Sequence, residues 1–254
     1  MRKDSVRFFE KNGYCIINLF NSNQISDLKE LIVNKMNYLA KDLGFNLKSK
    51  DIKKYHKFKI SDETHSLLTK HSTRNFLLSS KIRKKIILNK KILKIIKKYW
   101  GHTKFKIKWV GSLSADPLKQ NFTGFRIVRP KRVSEKDVGG EHLDLHYGGQ
   151  VHKNAYKALV TIWCPLEGFS EKFSLRISPK SHLTKHSVQA VSKQKKYVSR
   201  VFKKNYINKF FFHRPRLKKG QVIFFHPNLI HGESFNFGKQ TRVSIDLRIF
   251  NEKL

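Results

Sequence analysis

The sequence predicts a mainly β fold with flanking helices: a double-stranded β-helix (a cupin-like jelly roll) preceded by an N-terminal helical layer. Apolar residues recur at helical spacing in the first hundred positions, whereas short alternating segments with turn-like breaks follow from about position 104. No internal repeat or low-complexity linker divides the chain. We expect one domain over 1–254, with a helical part at about 1–103 and a jelly-roll core at about 104–250.

The N-terminal part contains predicted helices on either side of one strand. We expect a strand at 13–18, preceded by a helix at 4–12 and followed by one from about 21 to 43. In 81–100, apolar positions 82, 86, 93, 96 and 100 form one stripe and lysines cover the rest. This pattern is typical of a surface helix packed on a sheet, although such a helix can also lie on a membrane or a nucleic acid. Residues 45–80 are polar and predict no clear element.

Further strands are expected at 104–109, 123–129, 141–147, 155–164, 174–177, 221–225 and 241–250. The last strand has a polar face formed by Arg242, Ser244, Asp246 and Arg248. An edge strand wetted by solvent would show this pattern, and so would a strand that lines a polar cavity inside a barrel. The apolar run 222–225 just before His231 favours the cavity. The Lys-rich segment 183–216 is irregular and is expected to cover the site or to bind an anion.

Three residues form a candidate metal site. His142 and Asp144 are two positions apart, and side chains at i and i+2 of a strand point to the same face. With His231 they would supply two imidazoles and one carboxylate, the ligand set of non-heme Fe(II) oxygenases. Three positions of an octahedral iron would remain for a 2-oxoacid and oxygen. His146 also lies on the predicted ligand face, so Asp144, His146 and His231 is an alternative set, whereas His226 is expected to be a packed strand-end histidine.

Charge is the main feature of the composition. The chain has 54 Lys+Arg against 18 Asp+Glu, a net charge of +36, which favours association with polyanions. An A+T-rich genome would also raise the lysine content, but it does not easily explain the shortage of acidic residues. Two cysteines suggest no disulfide framework. With no signal peptide and no apolar stretch near the roughly 20 residues of a membrane span, we expect a cytoplasmic protein.

Motifs along nearly the whole chain resemble the phytanoyl-CoA dioxygenase superfamily of Fe(II)/2-oxoglutarate-dependent oxygenases. The resemblance is carried by residues 8–14, 25–28, 91–101, 161–166, 175–182 and 219–226, then by His231-Gly232 and Arg242. Two departures from the family pattern fall in turns. Lys180 replaces the glycine of a Pro-Gly-Ser-His turn, and Phe173-Ser174 replaces a common Asn-Gly.

The resemblance implies a role for each candidate residue. His142, Asp144 and His231 would be the iron ligands. Because the reaction would take place at the iron, the same three residues would also be the catalytic residues. Arg242, eleven positions after His231, would pair with the 5-carboxylate of 2-oxoglutarate, because an arginine can bind a carboxylate through two parallel hydrogen bonds. Ser244 would add a hydroxyl hydrogen bond on the same face.

For the other candidate residues the sequence is compatible with more than one position. Arg126 and Arg129 would contact the 1-carboxylate of the cosubstrate or an anionic substrate, or else lie on the surface as charges. His146, Tyr147, Trp163 and Arg248 are candidates for contact with the substrate or with the metal ligands. Arg248 is equally well explained as a solvated strand end.

The expected activity is hydroxylation of an unactivated C–H bond, with release of succinate and CO2. The expected substrate is small and anionic: a metabolite, an acyl thioester or a surface-glycan sugar. Non-specific binding to polyanions at low salt is also expected. One alternative is a nucleic-acid demethylase of the same chemistry, because Arg242 and Arg248 resemble the paired arginines of alkylation-damage demethylases. The other is a non-catalytic, anion-binding module on an oxygenase fold.

Overall fold

The computed structural model describes residues 5–44, 47, 52–69, 75–99, 107–111, 122–131, 140–144, 158–186, 191–193, 200–232 and 235–251. Its helices are α1 (Ser5–Asn12), α2 (Ser22–Asp42), α3 (Asp62–Thr69), α4 (Ser80–Ile87) and α5 (Lys90–Tyr99), with 3-10 helices at Ile52–Lys57 and Ser181–Leu183 and a single helical turn at Lys204–Ile207. Within this described part, no helix has the length and apolar character needed to cross a membrane.

The strands are β1 (Tyr14–Asn18), β2 (Asn75–Leu77), β3 (Ile107–Gly111), β4 (Phe122–Val128), β5 (Ala158–Glu167), β6 (Arg176–Ile177), β7 (Val191–Lys193), β8 (Arg200–Phe202), β9 (Gln221–Phe225), β10 (His231–Gly232) and β11 (Arg242–Asn251). The main antiparallel sheet has the order β1-β9-β5-β11-β4-β2, and β3 also pairs with β11. Two smaller sheets pair β6 with β10 and β7 with β8. The mainly β fold with flanking helices is therefore confirmed, while the domain boundary near 103 stays a prediction.

Strand β11 lies in the interior of the main sheet, between β5 on one side and β4 and β3 on the other. Its apolar residues Val243, Ile245, Leu247 and Ile249 are fully buried in the core that the helices also join. The polar residues Arg242, Ser244, Asp246 and Arg248 on its other face are also buried. The interpretation of β11 as a solvent-wetted edge strand is therefore wrong, and the interpretation as the lining of a polar interior is confirmed.

The segment 81–100 forms two helices rather than one. The side chain of Asn89 accepts hydrogen bonds from the backbone N–H groups of Lys91 and Ile92, at 3.1 Å each, and so starts a new helix. The restart shifts the apolar stripe, because Ile92, Ile95 and Ile96 become the buried residues of α5. The predicted stripe included positions 93 and 100 because it assumed one continuous helix, and the break between α4 and α5 removes that assumption. The predicted packing of this segment on the rest of the fold is otherwise observed.

Other boundaries differ from the predictions in two places. The segment 45–80, which predicted no element, contains the 3-10 helix Ile52–Lys57, α3 and β2. The predicted strand at 141–147 is absent over its described residues 141–144, where His142 forms only an isolated bridge with His231. The prediction rested on alternating polar and apolar residues, which indicate that alternate side chains are buried and exposed. A loop held by a single bridge can show the same alternation, so the pattern does not require a strand.

Candidate metal centre

The structure brings His142, Asp144 and His231 together. One ligand atom of each residue lies within 4.8 Å of the others, and all three residues are buried. The backbones of His142 and His231 exchange two hydrogen bonds, of 2.9 and 3.1 Å. His231 belongs to β10, and its ring also packs on Phe225 at the end of β9, with 4.6 Å between ring centroids. These contacts attach the described loop 140–144 to the two-stranded sheet of β6 and β10, at the position of the candidate metal ligands.

Both imidazoles are oriented by backbone carbonyl groups. Nδ1 of His142 donates to the oxygen of Gly140 at 2.8 Å, and Nδ1 of His231 donates to the oxygen of Leu229 at 2.9 Å. A carbonyl oxygen can only accept, so each Nδ1 carries the proton and each Nε2 presents a lone pair. Burial lowers the pKa of His142 to about 3 and also lowers the pKa of His231. Both rings are therefore neutral at physiological pH, the form that binds a metal.

The carboxylate of Asp144 is held by two neighbouring side chains. The hydroxyl of Thr161 donates to its Oδ2, and Nη2 of Arg248 donates to its Oδ1. Burial is the largest single influence and would raise the pKa of this carboxyl group, but the charge and hydrogen bond of Arg248, together with the two histidines, outweigh it and hold the pKa below its usual range. Asp144 is therefore ionised, and its Oδ1 lies 3.7 Å from Nε2 of His231.

A chain of charged groups continues from this carboxylate along the polar face of the sheet. Arg248 also contacts Asp246, with 3.4 Å between Nη1 and Oδ2. Asp246 in turn contacts Arg126 on β4, with 3.4 Å between Oδ1 and Nε. Carboxylates and guanidinium groups alternate along this chain, so each buried charge has an opposite charge beside it.

Arg242 and Ser244 lie further along the same face of β11. Arg242 is 3% exposed, and its Nη1 donates to the oxygen of Phe173 at 2.9 Å. Burial, followed by the nearby charges of Arg126 and Arg214, lowers the pKa of Arg242 to about 9. The hydroxyl of Ser244 is fully buried and has no hydrogen-bond partner among the residues that the structure describes. A carboxylate bound here would offset the burial of the guanidinium and accept from the hydroxyl.

The remaining candidates have different positions. Trp163 is buried opposite Asp246 in the register of β5 and β11, so it belongs to the same face. Arg129, one residue beyond β4, forms an ion pair with Asp62 at 2.9 Å and is not brought to the metal group. His226 accepts from the backbone N–H of Asn228 at 3.0 Å and is not part of that group either. The predictions for His146 and Tyr147 lie outside the described residues.

Sequence reasoning missed Thr161 and the linking role of Asp246. Thr161 lies directly opposite Arg248 in the register of β5 and β11, which places its hydroxyl beside the carboxylate that Arg248 binds. The signal was present as one polar residue in the otherwise apolar segment 158–164. Using it required the register between β5 and β11, because these strands are about eighty residues apart in the chain.

Comparison with known proteins places this site in a family. The family model for phytanoyl-CoA dioxygenase matches residues 9–244. No curated protein matches the chain in sequence at a significant level.

Solved structures with a similar fold include non-heme oxygenases. SnoK, an alpha ketoglutarate dependent carbocyclase from nogalamycin biosynthesis, is 13% identical with a TM-score of 0.53, over 98% of this chain and 84% of that chain. EctD from S. alaskensis, solved with 2-oxoglutarate and 5-hydroxyectoine, is 12% identical with a TM-score of 0.51, over 98% and 76%. AviO1 from Streptomyces viridochromogenes Tue57 is 11% identical with a TM-score of 0.50, over 98% and 95%. Identities this low show a shared fold.

The family match spans most of the chain, and it includes the segments that carry His142, Asp144, His231 and Arg242. It confirms the resemblance seen in the sequence motifs. The chain belongs to the phytanoyl-CoA dioxygenase family and is a 2-oxoglutarate-dependent oxygenase.

Proposed function

We propose that the protein hydroxylates an unactivated C–H bond of a small, anionic substrate, with Fe(II) as the metal and 2-oxoglutarate as the cosubstrate. The observation that carries the proposal is the buried group of His142, Asp144 and His231 on the face of the fold that also presents Arg242. Two imidazoles and one carboxylate with open positions are the ligand set of non-heme iron oxygenases.

The three ligands fit ferrous iron in their chemistry as well as in their positions. When bound, iron supplies the activation of oxygen, with 2-oxoglutarate oxidised to succinate and CO2. The chain holds both imidazoles neutral, with Nε2 toward the centre, through the carbonyl groups of Gly140 and Leu229. It holds the Asp144 carboxylate ionised and oriented through Thr161 and Arg248. Mutation of residues that hydrogen-bond to metal ligands typically lowers metal affinity or activity by about 10–100-fold.

Arg242 and Ser244 are proposed to bind the distal carboxylate of 2-oxoglutarate. The guanidinium provides a charge and a planar pair of donors, and the Ser244 hydroxyl provides a third donor from the same strand face. Burial and the charges of Arg126 and Arg214 disfavour the charged form of Arg242. A bound dianionic cosubstrate would stabilise that charged form. Arg126, which contacts Asp246, is the proposed contact for the 1-carboxylate.

The proposed substrate is small and anionic. SnoK and EctD, which share the fold, are named for reactions or complexes with small molecules. The net charge of +36 raises the local concentration of anions at the protein surface. We propose a cytoplasmic location, because reducing conditions keep iron ferrous and suit the two buried thiols, Cys15 and Cys164.

Succinate release tests the proposal. Purified protein with Fe(II) and 2-oxoglutarate is incubated with two panels: anionic metabolites, acyl thioesters and phosphorylated sugars in one, and methylated oligonucleotides in the other. We expect a member of the first panel to stimulate succinate formation, and the stimulation to be absent in Asp144→Ala. Stimulation by an oligonucleotide that persists at physiological salt would instead identify a nucleic-acid demethylase. Absence of any Fe(II)-dependent succinate, with or without substrate, would contradict the oxygenase assignment.

A further inference from the structure

A cavity lies where β4 ends and β11 begins. Its volume is about 610 Å³, within the range of about 300–1,000 Å³ that is usual for small-molecule sites. It is lined by His56, Lys57, Phe58, Lys59, Ile60, Arg129, Pro130, Lys131, Gly238 and Lys239. This set includes none of the three residues of the candidate metal centre and none of the three proposed 2-oxoglutarate contacts, Arg242, Ser244 and Arg126.

Hydrogen bonds connect the segments that form the walls. The backbone N–H of His56 donates to the hydroxyl of Thr241 at 3.0 Å, and its ring Nδ1 contacts the same hydroxyl at 3.0 Å. Across the cavity, the backbone N–H of Lys131 donates to the oxygen of Asn236 at 2.8 Å. The amide of Asn236 donates to the oxygen of Val128 at 2.9 Å. The cavity is therefore a formed feature of the fold rather than a gap between independent loops.

The charge of the lining is strongly positive. Lys57, Lys59, Lys131 and Lys239 come from three separate segments and meet around one opening. Arg129, which is 5% exposed, has its charge balanced by the carboxylate of Asp62 at 2.9 Å. Among the described residues that line the cavity, none is acidic. Lysines that converge in this way create a positive potential, and they bind phosphate as point charges.

The lining also contains an apolar wall. Phe58 and Ile60 are half-buried and pack against the main hydrophobic core, so their positions are fixed from behind. Pro130 faces the same space. An inorganic anion would use the lysines but leave this wall exposed to water. A ligand that combines a compact multiple charge with a flat or apolar group would use both surfaces.

We propose that this cavity binds a phosphorylated small molecule of nucleotide size, with the phosphates on the four lysines and the ring on Phe58, Ile60 and Pro130. The site is distinct from the oxygenase centre. The cavity lies at the Arg242 end of β11, but its lining contains none of His142, Asp144, His231, Arg242 and Ser244. Binding is therefore expected in protein that contains neither iron nor 2-oxoglutarate.

Calorimetric titration of the metal-free protein with ATP at about 0.15 M salt tests the site, since this ionic strength screens charges beyond about 8 Å. We expect one ATP per chain. The double variant Lys59→Ala/Lys239→Ala should weaken ATP binding tenfold or more. The matched control Lys97→Ala/Lys98→Ala removes the same charge from exposed positions on α5 and should change the affinity less than twofold. Phe58→Ala should weaken ATP binding but leave tripolyphosphate binding unchanged.

Three outcomes would overturn the proposal. Equal losses in the two double variants would show general attraction to a positive protein. Adenosine binding as tightly as ATP would show that the phosphates make no contribution. Absence of saturable binding with both ATP and tripolyphosphate at millimolar concentration would show that the cavity binds no such ligand. Because these titrations need no turnover, their failure leaves the oxygenase proposal untouched, and failure of the succinate assay leaves this one untouched.

Discussion

At the scale of single residues, hydrogen bonds with neighbouring groups orient the three side chains of the candidate metal centre. Each histidine is oriented by a carbonyl group only two residues away in the chain, Gly140 for His142 and Leu229 for His231. Asp144 depends instead on side chains from two distant strands, Thr161 of β5 and Arg248 of β11. The orientation of Asp144 is thus determined by tertiary structure, whereas each histidine is oriented within its own segment.

Replacing Thr161 by valine tests this dependence. The change keeps the β-branched shape but removes the hydroxyl that donates to Asp144, so we expect Fe(II) affinity to fall by about 10–100-fold. Thr123→Val is a matched control, because the Thr123 hydroxyl donates to the backbone oxygen of Asp246 rather than to a metal ligand. Anaerobic titration with Fe(II) measures both variants. Equal effects in the two variants would assign the loss to general damage to the sheet.

Replacing Arg242 by lysine tests the cosubstrate site. The change keeps the positive charge but loses the planar pair of donors. We expect the concentration of 2-oxoglutarate needed for half-maximal succinate formation to rise about tenfold or more, because a hydrogen bond to a charged group contributes about 1.5–3 kcal/mol. Arg242→Ala should have a larger effect. Unchanged 2-oxoglutarate dependence in both variants would move the role to another cation of the polar face, with Arg248 the next to test.

The sequence could predict the residues of this site but only part of their arrangement. His142, Asp144, His231 and Arg242 were recognisable because their types and spacing follow from ligand chemistry and from the family motifs. The contacts of Thr161 and Arg248 with Asp144 depend on which strands are neighbours, and no local pattern contains that information. The position of Arg129 stayed open in the sequence for a related reason. It follows β4 directly, yet it pairs with Asp62 of α3.

At the scale of elements, the turn after β6 departs from the family pattern at a position where glycine is favoured. Lys180 has a φ of 68°, in the left-handed region. The backbone is held there by a hydrogen bond from its N–H to the oxygen of Asn12 at 3.1 Å. The fold thus holds a lysine in a backbone conformation that favours glycine and strains residues with a Cβ.

We expect Lys180→Gly to raise the free energy of unfolding by about 0.5–1 kcal/mol. Glycine removes the contact between Cβ and the backbone in the left-handed region, and its greater freedom in the unfolded chain offsets part of that gain. Lys180→Ala keeps Cβ and should have little effect, which separates the backbone effect from the loss of a lysine. Denaturant unfolding measures all three proteins. Equal stabilisation by alanine would contradict the explanation.

Elements with strong local signals were predicted well. Helix α2 begins with reciprocal hydrogen bonds between Asn21 and Gln24 and then repeats apolar residues at helical spacing, so both its start and its type were readable. The break between α4 and α5 was missed, because Asn89 stands inside an otherwise continuous apolar stripe. The sequence does not show whether an asparagine in such a stripe caps a new helix. The hydrogen bonds of the Asn89 side chain show it only in the structure.

At the scale of the whole molecule, buried histidines make stability depend on pH. Burial, with a smaller contribution from His182, lowers the pKa of His226 to about 3, and burial also lowers those of His142 and His231. Between pH 3 and 6.5 the unfolded chain therefore binds more protons than the folded metal-free protein does. This contribution to stability is fully present above pH 6.5 and is lost as the pH falls below it.

We expect the unfolding free energy of the metal-free protein to fall by up to about 1.4 kcal/mol per pH unit for each such histidine as the pH drops below 6.5. His226→Asn removes one of these groups and should flatten the dependence by up to that amount. Urea unfolding between pH 4.5 and 7.5 measures the slope in both proteins. An unchanged slope in the variant would show that His226 is protonated at the same pH in the folded and the unfolded chain.

The central claim is that His142, Asp144 and His231 together bind one ferrous ion. Anaerobic titration of the metal-free protein with Fe(II) tests it most directly, because it requires no knowledge of the substrate. We predict one ion per chain in the wild type, loss of that site in His142→Ala, Asp144→Ala and His231→Ala, and its retention in His226→Ala, with the fold of each variant checked by circular dichroism. Retention of the site in His231→Ala together with its loss in His226→Ala would contradict the account.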